Sequence, residues 1–297
     1  MTTQISLGAI QYYWPKQTVE QFYREVADSP VQRVYLGENV CSKRKELSLS
    51  DWLAIGNELA QAGKDVRLST LALIEARQEL DMITPYLEQQ DFVLEANDIA
   101  VVQLCKERQL PFVAGNALNI YNTTALARMV DAGMISWVMP VELSREWLKG
   151  VLDESTERGF RDKFDVEVLG YGYLPLAYSA RCFTARSLDR PKDQCKKCCL
   201  DYPDGRLVKN LEQQPMFVLN GIQTQSGYCY DLSNDTASMR DLVDYFRISA
   251  NSEQIRPVIA NIEQQLAQPN PQQIKDCRCN GYWWAMAGKE SVTISDQ

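Results

Sequence analysis

The chain has 297 residues, of which 45% are hydrophobic and 24% charged, the balance of an ordinary globular protein with one or two domains. Its net charge of −8 counts against broad nucleic-acid binding, which needs a basic surface. It contains no histidine at all, which removes the Ser-His-Asp triad, the Cys-His dyad, the HExxH zinc site and histidine-ligated iron.

No apolar run approaches the roughly 18–20 residues that span a bilayer. The opening "MTTQISLGAIQYYWPKQ" has neither a basic leader nor a long apolar core, so no signal peptide is expected. The expected location is the cytoplasm, where thiols stay reduced. The nine cysteines therefore point to metal or redox chemistry rather than disulfides.

In chain order, strands are expected at 5–10, 32–37, 66–71, 92–96, 111–115, 136–140, 165–170 and 245–249. Helical periodicity fills the gaps. In "TVEQFYREVADS", Val19, Phe22, Tyr23 and Val26 recur as one apolar stripe. "SLSDWLAIGNELAQAG" reads as a helix with Ser50 as N-cap and Gly63 at its close. Further helices are expected at 98–109, 122–133, 143–159 and 251–267. Eight strands interleaved with helices fit a closed (β/α)8 barrel in a single domain over 1–297, with an open doubly wound sheet as the alternative. Residues 171–240 form a Cys-, Pro- and Gly-rich insertion after the seventh strand. It includes a hairpin turning at Asn220-Gly221 or Ser226-Gly227. Loops after strand C-termini build the active face of such barrels.

The insertion holds Cys182, Cys195, Cys198 and Cys199 within eighteen residues, spaced C-x12-C-x2-C-C. A zinc ribbon presents two paired knuckles, and only one half-knuckle is present here. The spacing suits an iron–sulfur cluster, which needs no histidine. Adjacent cysteines diverge, so one of Cys198 and Cys199 is a bystander and another loop supplies a ligand. Cys41 directly follows the second strand and is the best outside candidate. Cys105 and Cys229 read as packing residues, and Cys277 and Cys279 as loop residues. Six basic side chains (Arg181, Arg186, Arg190, Lys192, Lys196 and Lys197) face two acidic ones in 181–197, with Lys43, Arg44 and Lys45 beside Cys41. Such cations offset thiolate charge or receive a carboxylate, for which Arg181 and Arg186 are the candidates. Glu38, Glu95, Glu142 and Glu167 fall near strand ends, where a pairing role is the commoner expectation than a catalytic one.

The segments "YYWPKQTVEQFY", "VYLGENVCSKRK", "LSTLALIEA", "LPFVAGNALNIYN", "MPVELSREWL", "EVLGYGYLPLAYSARCFTARSLDRPKDQC", "FVLNGIQTQSGY" and "CNGYWW" resemble the U32 peptidase family nearly end to end. The likeness is to members that act in oxygen-independent ubiquinone biosynthesis. It implies a [4Fe–4S] cluster on Cys41, Cys182, Cys195 and Cys199, with Cys198 spare. It also implies a heterodimer with a second U32 protein, UbiU, that hydroxylates a quinone precursor ring, prephenate being the oxygen donor. The lipid-binding protein UbiT is implied as an associate. Cys277 beside Cys279 departs from the pattern. Two other readings stand beside this one, a U32-type RNA-base hydroxylase and a non-catalytic scaffold with a four-cysteine metal site. A peptidase is not expected, since the chain has neither a histidine base nor a GxSxG elbow.

Overall fold

The computed structural model describes residues 3–250, 254–273 and 276–293. Strands and helices alternate through the first half: β1 (Gln4–Leu7), α1 (Lys16–Ala27), β2 (Arg33–Leu36), α2 (Leu49–Gln61), β3 (Asp65–Ser69), α3 (Arg77–Glu88), β4 (Val93–Ala96) and α4 (Ile99–Glu107). Then come β5 (Phe112–Ala114), α5 (Thr123–Asp131), β6 (Met134–Val138), α6 (Arg145–Glu157) and the long β7 (Asp165–Tyr178). The insertion contributes α7 (Phe183–Arg186), β8 (Arg206–Lys209), β9 (Pro215–Asn220) and β10 (Gln223–Asp231). The chain ends with β11 (Tyr245–Ile248), α8 (Arg256–Ala267) and the two-residue β12 (Arg278–Cys279).

Parallel pairing runs from β1 to β7, and β11 closes the ring by pairing in parallel with both β7 and β1. The expected (β/α)8 barrel is therefore formed, from the eight expected strands. β7 leaves the barrel without a break. Its first half pairs with β11, and its second half, from Tyr171 to Tyr178, pairs antiparallel with β10. The insertion is thus an antiparallel sheet grown out of a barrel strand, with its hairpin turning at Asn220-Gly221.

Outward-facing strand residues, among them Leu7, Leu36, Leu68, Ala96, Trp137, Val168 and Phe246, pack under the helices in one core. On α1, Val19, Phe22, Tyr23 and Val26 are the buried face, as their spacing requires. The N-cap of α2 is Ser48, not Ser50. Ser48 Oγ accepts the Asp51 N–H at 3.2 Å while the Asp51 carboxylate accepts the Ser48 N–H at 2.8 Å, a reciprocal box that Ser50 cannot make. Helix α3 was not expected from the sequence, because Pro85 interrupts its interior and only Ile83 and Leu87 are buried on it. Residues 251–253 of the helix expected at 251–267 lie outside the described residues. The tail docks back on the insertion, with Trp283 fully buried and its Nε1 donating to Ser238 Oγ at 2.8 Å.

The barrel interior combines an ionic network with a small apolar cluster of Ala9, Tyr35, Val113 and Val138. Arg247 Nε donates to Glu167 Oε1 at 2.7 Å and its Nη1 to Glu95 Oε1 at 2.6 Å, so one guanidinium links β11, β7 and β4. Tyr35 donates to Glu167 Oε2 at 2.7 Å, Ser6 donates to Oε1, and Ser69 donates to Glu95 Oε2 at 2.5 Å. Arg33 lies 3.8 Å from Glu167 and reaches Asp65 and Asp165 at the strand starts. Glu95 and Glu167 are 1% and 0% exposed. They are the barrel's internal struts and do not face an open mouth.

Burial opposes ionisation of Glu167, but Arg247 and Arg33 outweigh it and hold the carboxyl below its ordinary value of 4.5. Ionised Glu167 therefore adds stability above about pH 4.5 that is lost as pH falls through the lowered folded-state value. Glu167→Gln should flatten this acid limb in urea melts taken across pH. Arg247→Met, which strands two buried carboxylates, should cost about 3–5 kcal/mol at neutral pH.

Candidate functional site

The site starts where β2 ends. Gly37 takes φ +119, and a Cβ there would lie 2.5 Å from the Ser69 carbonyl, so the chain turns sharply against β3. Glu38 Oε1 then accepts the N–H groups of Val40 and Cys41 at 2.8 and 3.0 Å, curling the loop so that Cys41 faces inward. Three residues on, Arg44 is 5% exposed. Its Nη1 donates to the Gln11 carbonyl at 2.6 Å and its Nη2 to Asn220 Oδ1 at 2.7 Å, with Glu38 3.7 Å away. The arginine therefore joins three loops, after β1, after β2 and at the insertion hairpin. Its Nε has no hydrogen-bond partner.

The insertion folds onto the same place. Gly221, at φ +64, offers its carbonyl to Phe183 N–H at 2.7 Å and its N–H to Thr184 Oγ1 at 2.9 Å, seating α7 on the hairpin turn. Cys182 caps α7, its sulfur accepting the Ala185 N–H at 3.4 Å. Lys196 and Lys197 both adopt left-handed backbone, φ 48 and 56, and the reversal lets Cys198 N–H reach the Cys195 carbonyl at 3.0 Å. Two consecutive residues of this kind without glycine store strain, which functional loops often carry. The loop is latched to the barrel by Lys192, paired with Glu75, and by Lys43, which donates to the Lys192 carbonyl at 3.0 Å.

These elements bring Cys41, Cys182, Cys195 and Cys198 into one cluster with Val40, Ala185, Ile222, Leu73 and Leu188, separate from the main core. Cys199 sits beside Arg44 and interacts with Cys182. Cys182 is the hub, because Cys41, Cys198 and Cys199 all lie within its electrostatic reach. The five thiols expected from the sequence are thus gathered from two segments some 140 residues apart, and all are free. Both Cys198 and Cys199 belong to the group: Cys198 is buried, and Cys199 is half-buried. Burial pushes the Cys41 thiol up to about 11 and raises Cys198 and Cys199, with Arg44 pulling against it at Cys199. Without a bound cation these groups stay protonated at neutral pH.

The donor set is all sulfur with a buried cation at its edge, which fits an anionic thiolate-ligated group. Among the described residues no three cysteine or carboxylate side chains converge as the ligands of a single metal ion would. A tetrahedral zinc holds its four sulfurs within roughly 4 Å of one another. A polynuclear cluster accepts a wider gathering.

The remaining sequence candidates divide clearly. Arg181 and Arg186 are exposed on the loop surface. Glu142 is exposed and accepts the Tyr121 hydroxyl at 2.5 Å. Cys105 is fully buried on α4, whereas Cys277 is exposed. Cys229 and Cys279 lie on the paired strands β10 and β12, away from the thiol cluster. Gln11 and Asn220, which hold Arg44, carry no sequence signal beyond the Asn-Gly turn.

An eight-stranded parallel barrel whose face carries a thiol-lined insertion defines the class of protein. The model of peptidase family U32 matches residues 15–249, and the chain belongs to that family. A U32 peptidase of known structure, Mk0906, is similar at 11% identity over 84% of this chain and 94% of its own, with TM-score 0.44. An uncharacterized Bacillus cereus protein aligns at 10% identity over 91% of this chain and 66% of its own, with TM-score 0.46. Dihydropteroate synthase from Anaplasma phagocytophilum aligns at 10% identity over 90% and 100%, with TM-score 0.40. No helix among the described residues is long and apolar enough to cross a membrane.

Arg44→Met should cost about 1–3 kcal/mol in urea denaturation, since it removes the cation facing half-buried Glu38 and leaves Asn220 Oδ1 unpaired, while the Gln11 carbonyl keeps its bond from Asn220 Nδ2. Arg44→Lys should recover part of that loss. An Arg44→Met protein as stable as the wild type would show that the three loops do not depend on the guanidinium.

Proposed function

We propose that this chain is an iron–sulfur subunit of the UbiV type, working with a UbiU-like U32 partner in O2-independent hydroxylation of ubiquinone precursor rings. Cys41, Cys182, Cys195 and Cys199 would hold a [4Fe–4S] cluster. The observation that carries the reading is the gathering of free thiols from the β2 loop and the insertion around buried Arg44. The choice of Cys199 over Cys198 is supported by that guanidinium, which lies beside Cys199 and favours its thiolate.

When bound, such a cluster supplies one-electron transfer. Replacing a ring C–H by C–OH is a two-electron oxidation, and its oxygen would come from a donor other than O2, for which prephenate is the candidate. The chain's own residues have simpler tasks. Arg44 balances thiolate charge, and Val40, Ala185, Ile222, Leu73 and Leu188 keep water from the sulfurs. Glu38 holds the Cys41 loop in its turn. A UbiT-like lipid carrier would deliver a polyprenylated ring, and the cytoplasm is the fitting compartment for reduced thiols.

Peptidase chemistry is disfavoured by the same geometry. An attacking thiol needs a lowered pKa and a base partner. Burial raises the thiols of Cys41, Cys198 and Cys199 instead, and the chain has no histidine.

Anaerobic purification followed by iron, sulfide and zinc analysis tests the assignment. The wild type should be brown with about four irons per chain. Alanine at Cys41, Cys182, Cys195 or Cys199 should abolish the colour, and Cys198→Ala should keep it. One zinc and no iron would replace the redox reading with a structural scaffold.

A further inference from the structure

Reached from the thiol cluster through Arg44, which lies beside Cys199, a cavity of about 380 Å³ opens between the β2–α2 loop, the β3–α3 loop and α3. Its wall is apolar along Leu47, Leu49, Trp52, Leu71, Ile83 and Pro85, and Met82 of α3 stands at its rim, 42% exposed. Its polar lining comes from Glu38, Ser42, Arg44, Ser69, Thr70 and Tyr86, with the exposed Lys45 and Ser48 at its edge. Ser69 and Thr70 already donate to Glu95, at 2.5 Å to its carboxylate and 2.8 Å to its carbonyl. Arg44 is different, being almost fully buried with an Nε that has no partner.

We infer that this cavity is the receptor for the aromatic head of a phenolic substrate, with the ring between Leu71, Ile83 and Trp52 and its hydroxyl edge turned to Arg44 and Tyr86. This assignment rests on the proposed ring hydroxylation and adds to it where the ring sits.

Size, polarity and position each support it. Ligand sites are mostly apolar clefts of about 300–1,000 Å³ with a few placed polar groups. A cavity of about 150 Å³ already holds benzene. The volume here therefore suits one substituted ring with the first isoprene unit of a side chain. A longer polyprenyl tail has to leave past Met82. The position links ring and sulfur. Ser42 adjoins Cys41 in sequence, and Arg44 both lines the cavity and lies beside Cys199.

The barrel mouth offers a competing cavity of about 240 Å³, lined by Asn116, Asn119, Tyr121, Glu142, Ala177 and Tyr178 among others. Its polar lining suits a smaller, more hydrophilic molecule. The two cavities meet across the β3–α3 loop, since Leu71 lines one and Ala72 and Leu73 the other.

The test is calorimetric titration of the anaerobically purified full chain with 2-prenylphenol, and with prenylbenzene, which lacks the hydroxyl. Iron content is measured on the same samples. One 2-prenylphenol should bind per chain, about tenfold more tightly than prenylbenzene. Met82→Glu, which places a charge at the apolar rim, should weaken binding by about tenfold or more with unchanged circular dichroism. Leu49→Trp, which fills the cavity, should do the same. Ala177→Trp, which fills the barrel mouth, should leave binding unchanged. Loss of binding in Ala177→Trp alone, no difference between the two probes, or no binding by an iron-loaded chain would each overturn the cavity assignment. Those results leave the cluster assignment intact. Binding by a chain that carries no iron would support the cavity while sinking the cluster.

Discussion

A single guanidinium, that of Arg247, sits between two carboxylates inside the barrel, and the closure of the sheet depends on it. β11 reaches the ring only after the long insertion has left it, and must insert between β7 and β1. Arg247 supplies charge that Glu167 on one neighbour and Glu95 across the barrel both require. Removing charges from water is costly, and only near-complete pairing repays it. Tyr35, Ser6 and Ser69 satisfy further carboxylate oxygens, and on the guanidinium Nη2 alone is left without a partner. An interior built this way favours one strand order, because Arg247 meets Glu167 on adjacent β7 and Glu95 on β4 across the barrel when β11 lies between β7 and β1.

Another buried arginine repeats the device on the upper face. Arg44 ties the β1 and β2 loops to the insertion hairpin, and in doing so places a fixed positive charge against the thiols. The two arginines have different roles. Arg247 is neutralised by its partners and acts as a strut. Arg44 faces a single carboxylate, that of half-buried Glu38 at 3.7 Å, and so retains capacity to stabilise a negative group. The apolar cavity and the sulfur cluster share this one cation, which makes the loop carrying Cys41, Ser42 and Arg44 the centre of the proposed chemistry.

Much of this was legible before folding. Barrel strands are buried on both faces, so they read as short apolar runs, and all eight were found. Cys41 could be placed beside the insertion because a residue just after a parallel strand belongs to the barrel's C-terminal face. Other features were hidden. Pro85 masked α3, and with it the wall that carries Met82, Ile83 and Tyr86. Glu95 and Glu167 looked like rim residues, since position near a strand end says nothing about whether an arginine lies opposite. Ser50 and Ser48 offer the same hydroxyl, and only the position of Asp51 distinguishes the cap.

By itself, the sequence determined the class of fold, the absence of imidazole chemistry and the concentration of sulfur in one loop, because these follow from periodicity and composition. The proposed ligand set rests on likeness to a family rather than on spacing. Tertiary structure decided what depends on residues far apart in the chain. It set Arg44 among Gln11, Glu38 and Asn220 at the wall of a cavity, and paired Arg247 with two glutamates. Those outcomes depend on charge compensation in a low-dielectric interior, which exists only once the partners have been brought together.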